Sequence, residues 1–203
     1  MILSIVQARI SSTRLPGKVL IPINGKTILE HVVNAVPEPK IVATSGLDTE
    51  IIEWCKDHHV AVFGGPLDDV LKRFYLAWEY AAPKSDWILR VCCDCPMLTR
   101  EMVERFIIKA GRRYADTIYT NRPWDPDGYD MELFSIQALE MAHEHATDPY
   151  DREHVTPWMY RHYCVFRDSV FDRPIGPENP QDKVSIDTLD DYEKVKKLME
   201  AAQ

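Results

Sequence analysis

No apolar run of the ~18 residues that a membrane-spanning helix needs occurs in this chain, so no interaction with a membrane is expected. Glycine is sparse, 8 of 203 residues, and no G-x-G-x-x-G follows the first apolar run, so the dinucleotide fingerprint is missing. Asn24-Gly25-Lys26-Thr27 has the tail of a Walker A loop, but the glycine that motif needs five residues before Gly25 is Leu20. Cysteine is limited to five residues (Cys55, Cys92, Cys93, Cys95 and Cys164), an odd number without disulfide spacing. Reduced thiols and a cytoplasmic location are therefore expected. Cys92-Cys93-Asp94-Cys95 is too tight for the usual C-x₂-C zinc geometry, and no second pair follows, so small buried thiols are expected there. The N-terminal stretch lacks a basic n-region and a long apolar core, and a secretory signal is not expected. Positive charge is also short: 24 Lys and Arg against 32 Asp and Glu give a formal charge of −8. Such a chain is a poor coat for nucleic acid or for an anionic lipid surface, although a local basic loop can still hold a small anion.

What remains is a globular composition, 45% hydrophobic and 28% charged, long enough to bury a core without disulfides or a structural metal. Short apolar runs at Ile2–Val6, Lys40–Thr44, Val60–Phe63 and Trp87–Val91 read as buried strands. Helical spacing separates them: Thr27–Val36, with Thr27 as N-cap and Glu30 as its capping-box partner, then Asp48–His59 and Asp68–Ala82. Thr99–Arg112 is a further helix. This alternation predicts an α/β fold with a doubly wound, mostly parallel sheet, whose ligands sit beyond the carboxyl ends of the strands. The second half is less regular. Thr117–Tyr119 and Met131–Phe134 are predicted strands, Ser135–Ala146 and Arg152–His162 helices, and Asp172–Gln181 a proline-rich loop. Lys183–Ile186 is expected to return as a short strand and Thr188–Ala202 to close the chain as a helix.

Three places carry candidate chemistry. The loop after the first strand, QARISSTRLPGK, concentrates Arg9, Arg14 and Lys18 around Ser11, Ser12 and Thr13, and Gly17 permits close backbone approach. Cations, hydroxyls and free backbone N–H groups at a strand end suit a polyanion such as a triphosphate; the alternative is a solvated basic loop. Asp94 and Asp187 each follow a predicted strand and can share one Mg²⁺, which takes hard oxygen ligands. Aspartate also caps turns and helices, and Asp187 competes with an N-cap role for the last helix. Asp130 and Glu132 alternate on a strand and face one side together; Arg152-Glu153-His154 opens a helix after Asp148-Pro149. A solvated strand face and an ordinary helix start are the alternatives. Trp124 and Trp158 are candidates for a pocket wall, although lone aromatics are usually core.

Ala8–Leu20, which reads A-R-x-x-S-T-R-L-P-G-K-V-L, resembles the opening of the sugar-acid cytidylyltransferases, and within them the spore-coat polysaccharide type related to CMP-KDO and CMP-sialic acid synthetases. The resemblance continues through Val42–Ser45, Gly64-Gly65 with Asp69–Phe74, the Asp94-Cys95-Pro96 turn, Asp127–Ser135, Ala146–Pro157 (ATDPYDREHVTP) and Ile186–Thr188 with Asp190-Asp191. It departs from the family at the shorter Val36–Ile41 connection and at Cys92-Cys93, where small or hydroxyl residues are usual. The resemblance implies one nucleotidyltransferase domain of GT-A-like, Rossmann-like fold over residues 1–203. Residues 1–120 would form the nucleotide-binding part, 121–182 an acceptor-side or lid part, and 183–203 the returning strand and helix.

It implies a cytidylyltransferase that uses CTP and Mg²⁺, acts on a small acidic sugar-type acceptor in polysaccharide or glycoconjugate precursor synthesis, and forms a homodimer through its second half. Ala8, Arg9, Ser12, Arg14, Lys18, Ser45, Gly65, Asp69 and Arg73 would bind nucleotide, with the glycine turn against the base. Asp130, Glu132, Arg152, Glu153 and His154 would lie near the acceptor. Asp94 and Asp187 would hold the metal, and together with Lys18 and Arg14 would carry catalysis. Other readings stay open on the residues alone: another nucleotide, a phosphate or phosphonate acceptor, or a nucleotide-binding protein without activity. A glycosyltransferase is disfavoured, because its D-x-D motif is matched only by Asp125-Pro126-Asp127 in a proline-interrupted loop.

Overall fold

A computed structural model describes residues 1–81, 84–111, 117–121, 126–168 and 183–202, with 117–121, 166 and 168 described by backbone only. Trp124, Asp125 and the loop expected at Asp172–Gln181 lie outside these residues.

In chain order the elements are β1 (Ile2–Gln7), β2 (Pro22–Ile23), β3 (Lys26–Thr27), α1 (Ile28–Ala35), β4 (Lys40–Ser45), α2 (Thr49–Asp57), β5 (Val62–Gly65) and α3 (Val70–Ala81). There follow β6 (Trp87–Cys92), α4 (Arg100–Ala110), β7 (Thr117–Asn121), β8 (Met131–Ser135), α5 (Ile136–His145), α6 (Pro149–His154), α7 (Pro157–His162), β9 (Cys164–Asp168) and α8 (Leu189–Ala201). One sheet takes the order β5-β4-β1-β6-β8-β7-β9. The first four run parallel, β8 is antiparallel to both β6 and β7, and β9 pairs parallel with β7. The expected doubly wound, mostly parallel α/β sheet is therefore present.

Alternation along the strands supplies a core on each face. Val6 and Val42 face one core, which α1, α4 and α8 complete with Val32, Phe106 and Val195. Leu3, Ile5 and Ile41 face the other, closed by Phe74 of α3, Leu139 of α5 and Met159 of α7. The Thr27 cap read from the sequence is present, and α8 is capped by Thr188 rather than by Asp187. Thr27 Oγ1 accepts from the Glu30 N–H at 3.1 Å, and Thr188 and Asp191 form a complete capping box on α8.

Two expectations need correction. The predicted helix Arg152–His162 is two helices. Val155 adopts φ +73° between them, and Pro157 opens the second, where its missing N–H and its ring prevent a continuous helix. A β-branched residue in that region is strained and persists only where its surroundings fix it. Lys183–Ile186 is not a strand. The Asp127 carbonyl accepts from two successive amides, Val184 N (2.6 Å) and Ser185 N (3.1 Å), a hook that no ladder contains, and Ile186 N then reaches the Asp94 carbonyl at 2.9 Å. Strand β9 and the β2–β3 hairpin are additions to the sequence reading.

The hook requires Gly128, whose φ is +116° and whose missing side chain leaves room for the returning segment. A Cβ there would meet Ser185 N at 2.3 Å and the Val184 carbonyl carbon at 2.5 Å. Gly128→Ala is expected to cost at least ~2 kcal/mol by urea denaturation. An unchanged midpoint would show that residues 183–188 are not held this way.

Candidate active site

The parallel strands β1 and β6 end at Gln7 and Cys92, side by side in register. Beyond them lies a cleft that opens to solvent. Five cations line it (Arg9, Arg14, Lys18, Arg73 and Arg90) against three carboxylates (Asp94, Glu153 and Asp187), the reverse of the sign of the whole chain. Such a concentration of positive charge at strand ends suits a polyanion.

The loop that follows β1 is built by its own backbone. Ser12 N (2.8 Å) and Gly17 N (3.0 Å) both donate to the Ile10 carbonyl, and Gly17 sits at φ +71°. The chain then makes a single turn of 3₁₀ helix at Lys18–Leu20, which turns the Lys18 side chain inward, where it is 8% exposed. Its ammonium donates to Asp94 Oδ2 at 3.1 Å, to Asp187 Oδ1 at 3.0 Å and to the Ile186 carbonyl. Arg14 reaches the same Asp187 oxygen at 3.0 Å, and Lys183 takes Asp187 Oδ2 at 3.0 Å. Burial acts to raise the Asp187 carboxyl, but hydrogen bonds from Lys18 and Lys183 outweigh it and hold the group below its usual range. Asp187 does not cap α8; Thr188 does, so the carboxylate remains available to the cleft.

The two aspartates fit Mg²⁺. Each has one oxygen within about 3.1 Å of the same ammonium, so one small cation already bridges them, and both are hard donors. No three His, Cys, Asp or Glu side chains converge as a metal site among the described residues. A metal here would thus take the remainder of its shell from ligand oxygens and water. The neighbouring thiols supply no alternative. Burial raises Cys92 to about 12 and pushes Cys93 and Cys95 well above the usual thiol range, so all three stay protonated.

Of the other residues singled out from the sequence, Ala8, Arg9, Ser12, Arg73, Glu153 and His154 line the cleft; Ser45, Gly65, Asp69, Asp130, Glu132 and Arg152 do not. Their positions have structural explanations. Asp69 caps α3 at Lys72 N (3.0 Å) and takes both arms of Arg152, at 2.9 and 2.6 Å. Arg152 also donates to the His143 carbonyl at 2.8 Å, so it clamps α6 onto α3 and α5 and sets Glu153 and His154 over the cleft. Arg73 is buried at 1% exposure and donates to the carbonyls of Pro66 (3.0 Å) and Leu67 (2.7 Å), which fixes the turn after β5. Ser45 Oγ accepts from Leu47 N at 3.1 Å, and Gly46 N meets the Gly65 carbonyl at 2.9 Å. Asp130 Oδ2 accepts from Gly128 N at 3.1 Å.

Arg90 and Gln7 were not anticipated as site residues. Arg90 donates to Gln7 Oε1 through Nε (3.2 Å) and Nη2 (3.0 Å), and pairs with Glu132 across the β6–β8 register. Glu132 also accepts from Thr156 Oγ1 at 2.8 Å and from the Tyr160 hydroxyl. An arginine inside the run WILRV was the available signal, since a buried charge in a central strand demands a partner.

Comparison with known proteins gives a consistent result. The profile of a family described as Cytidylyltransferase matches residues 3–203. The spore coat polysaccharide biosynthesis protein SpsF of Bacillus subtilis (strain 168) is 33% identical over 219 aligned residues, covering 99% of this chain and 87% of the relative. A 3-deoxy-manno-octulosonate cytidylyltransferase of Erwinia tasmaniensis is 25% identical, covering 83% of this chain and 69% of that protein. Among solved structures, a cytidylyltransferase from Leptospira borgpetersenii serovar Hardjo-bovis superposes with a TM-score of 0.87 at 26% identity, over 98% of this chain and 87% of that one. Among the described residues no helix is long and apolar enough to cross a membrane.

The carboxylate that closes this corner makes a pH-dependent contribution. Burial acts to raise Asp191, but bonds from Lys183, Thr188 and two backbone amides lower it to about 2. A depressed carboxylate stabilises the fold above its unfolded value, roughly 3.9, and loses that contribution as pH falls through the folded value. Asp191→Asn is expected to cost about 2 kcal/mol at pH 7 and only a few tenths near pH 2. An equal loss at both pH values, read by denaturant titration, would contradict the assignment.

Proposed function

We propose that this chain, which belongs to the cytidylyltransferase family, transfers CMP from CTP to a small acidic sugar-type acceptor and releases pyrophosphate. As a member of that family it is a nucleotidyltransferase. One observation carries the reading: a buried ammonium, three carboxylates and four arginines face one cleft at the carboxyl ends of β1 and β6.

In the proposed reaction an acceptor oxygen attacks the α-phosphorus of CTP in line, a P–O bond to it forms, and the bond to the leaving pyrophosphate breaks. Little covalent assistance is needed from the protein; positioning and charge neutralisation do most of the work. Arg9, Ser12 and the backbone of the loop hold phosphate oxygens. Arg14 and Lys18 stabilise the charge that grows on the departing pyrophosphate. Asp94 and Asp187 would hold Mg²⁺, the proposed cofactor, which would supply further neutralisation of phosphate charge when bound. The turn after β5, fixed by Arg73, is assigned to the base on the family resemblance. Glu153 and His154, set over the cleft by the Arg152–Asp69 clamp, border the acceptor. The SpsF and 3-deoxy-manno-octulosonate cytidylyltransferase likenesses support a sugar-acid acceptor in a polysaccharide precursor route.

Two measurements test this. A pyrophosphate-release screen of the four NTPs against a panel of acidic sugars and phosphonates should give turnover with CTP and an acidic sugar. Release with another NTP or with phosphonates alone redirects the substrate assignment, and no release with any pair removes the activity. Lys18→Ala should then lower turnover by at least ~100-fold, the scale of one lost transition-state donor. A near-normal rate would take Lys18 out of the reaction.

A further inference from the structure

Between Asp94 and Asp187 stands a cation that the chain itself supplies. The Lys18 ammonium has three N–H donors, and three oxygens take them: Asp94 Oδ2, Asp187 Oδ1 and the Ile186 carbonyl. At 8% exposure it has little access to water in exchange. The charge around it is balanced. Arg14 and Lys183 also pair with Asp187, and Lys183 also pairs with Asp191, so Lys18, Arg14 and Lys183 stand against Asp94, Asp187 and Asp191. Among the described residues, the remaining Asp94 oxygen accepts from the Cys95 thiol at 3.6 Å.

We propose that Lys18 is a resident substitute for the metal: it excludes a free divalent cation from Asp94 and Asp187, so that the substrate this site accepts is the metal–nucleotide complex and not metal and nucleotide in turn. This rests on the functional reading above for its nucleotide, but not for its metal-exclusion step. A divalent ion that arrives alone must compete with the ammonium for the same two oxygens and adds uncompensated charge to a neutral, partly buried cluster. One that arrives on a triphosphate brings an excess of negative charge. The phosphate oxygens then offer Lys18 the partners it gives up, so the ammonium moves from carboxylate to phosphate without losing its hydrogen bonds. Lysine suits this exchange better than arginine, because a compact ammonium on a flexible stem can re-aim while a guanidinium fork cannot.

Mn²⁺ serves as the probe, its free concentration read by electron paramagnetic resonance. In the absence of nucleotide, Lys18→Met, which keeps the length and removes the charge, is expected to bind Mn²⁺ at least ~10-fold more tightly than the wild type. Lys18→Arg, which keeps the charge, is expected to bind no better than the wild type. The Lys18→Met/Asp187→Asn protein should lose the gain. In the wild type itself, a non-hydrolysable α,β-methylene CTP should raise Mn²⁺ affinity at least ~10-fold, a measurement that needs no variant to fold. Wild-type protein that binds Mn²⁺ alone as tightly as it does with the analogue, or a folded Lys18→Met that gains nothing, overturns the proposal. Failure of the CTP analogue to bind any of these proteins instead counts against the cytidylyl reading, while the nucleotide-free arms still decide the role of Lys18.

Discussion

One ammonium group joins three distant stretches of this chain. Lys18 donates to Asp94, 76 residues along, and to Ile186 and Asp187, some 168 and 169 residues along. The loop after β1, the turn after β6 and the segment before α8 therefore meet at one nitrogen. Backbone bonds support the same junction independently: Ile186 N to the Asp94 carbonyl, and Val184 N to the Asp127 carbonyl over Gly128. A buried charge is stable only when its partners are in place. The contacts of Lys18 thus report whether the N-terminal loop and the C-terminal segment have both arrived.

Around that junction, charged side chains divide into two groups. Arg9, Arg14 and Lys18 present charge to the cleft. Arg152 is engaged with Asp69, and Arg90 with Gln7 and Glu132, all at distances that leave them fixed in place. These pairs tie α6 and α7 to α3 and to the sheet, and so they set where Glu153 and His154 stand. Arg73 and Arg90 belong to both groups, since each lines the cleft while Arg73 holds the turn after β5 and Arg90 its partners on β1 and β8. The net acidity of the chain resides elsewhere on its surface, which leaves the cleft as a local exception.

Much of this was readable from the sequence because it depends on short-range signals. Apolar runs such as WILRV and KIVAT, separated by helical spacing, dictate a parallel sheet, and strand ends dictate where the Lys18 loop and Asp94 lie, whereas Asp187 arrives on an irregular segment held by the Asp127 carbonyl. Thr27 announced its helix by its position, whereas the cap of α8 is Thr188 and not the neighbouring Asp187. What escaped depends on pairing between remote segments. The Arg90–Glu132 contact follows from the antiparallel register of β6 and β8, which no local pattern encodes. Asp69 and Arg152 were expected at the ligand from the resemblance alone; their pairing with each other follows from the packing of α6 on α3, which no local pattern encodes. The break at Val155 was hidden for a related reason. Its positive φ opposes the preference of a β-branched residue, and tertiary contacts, among them Thr156 to Glu132, override that preference.

The most direct test of the account is a double-mutant cycle on the two aspartates. Titration calorimetry would follow CTP binding to the wild type, Asp94→Asn, Asp187→Asn and the double variant, each with and without Mg²⁺. If both carboxylates serve one metal on one triphosphate, each single change removes most of the Mg²⁺-dependent affinity and the second adds little to the first. Losses that add independently, or Mg²⁺-dependent CTP binding that survives in the double variant, would place the metal somewhere other than beside Lys18.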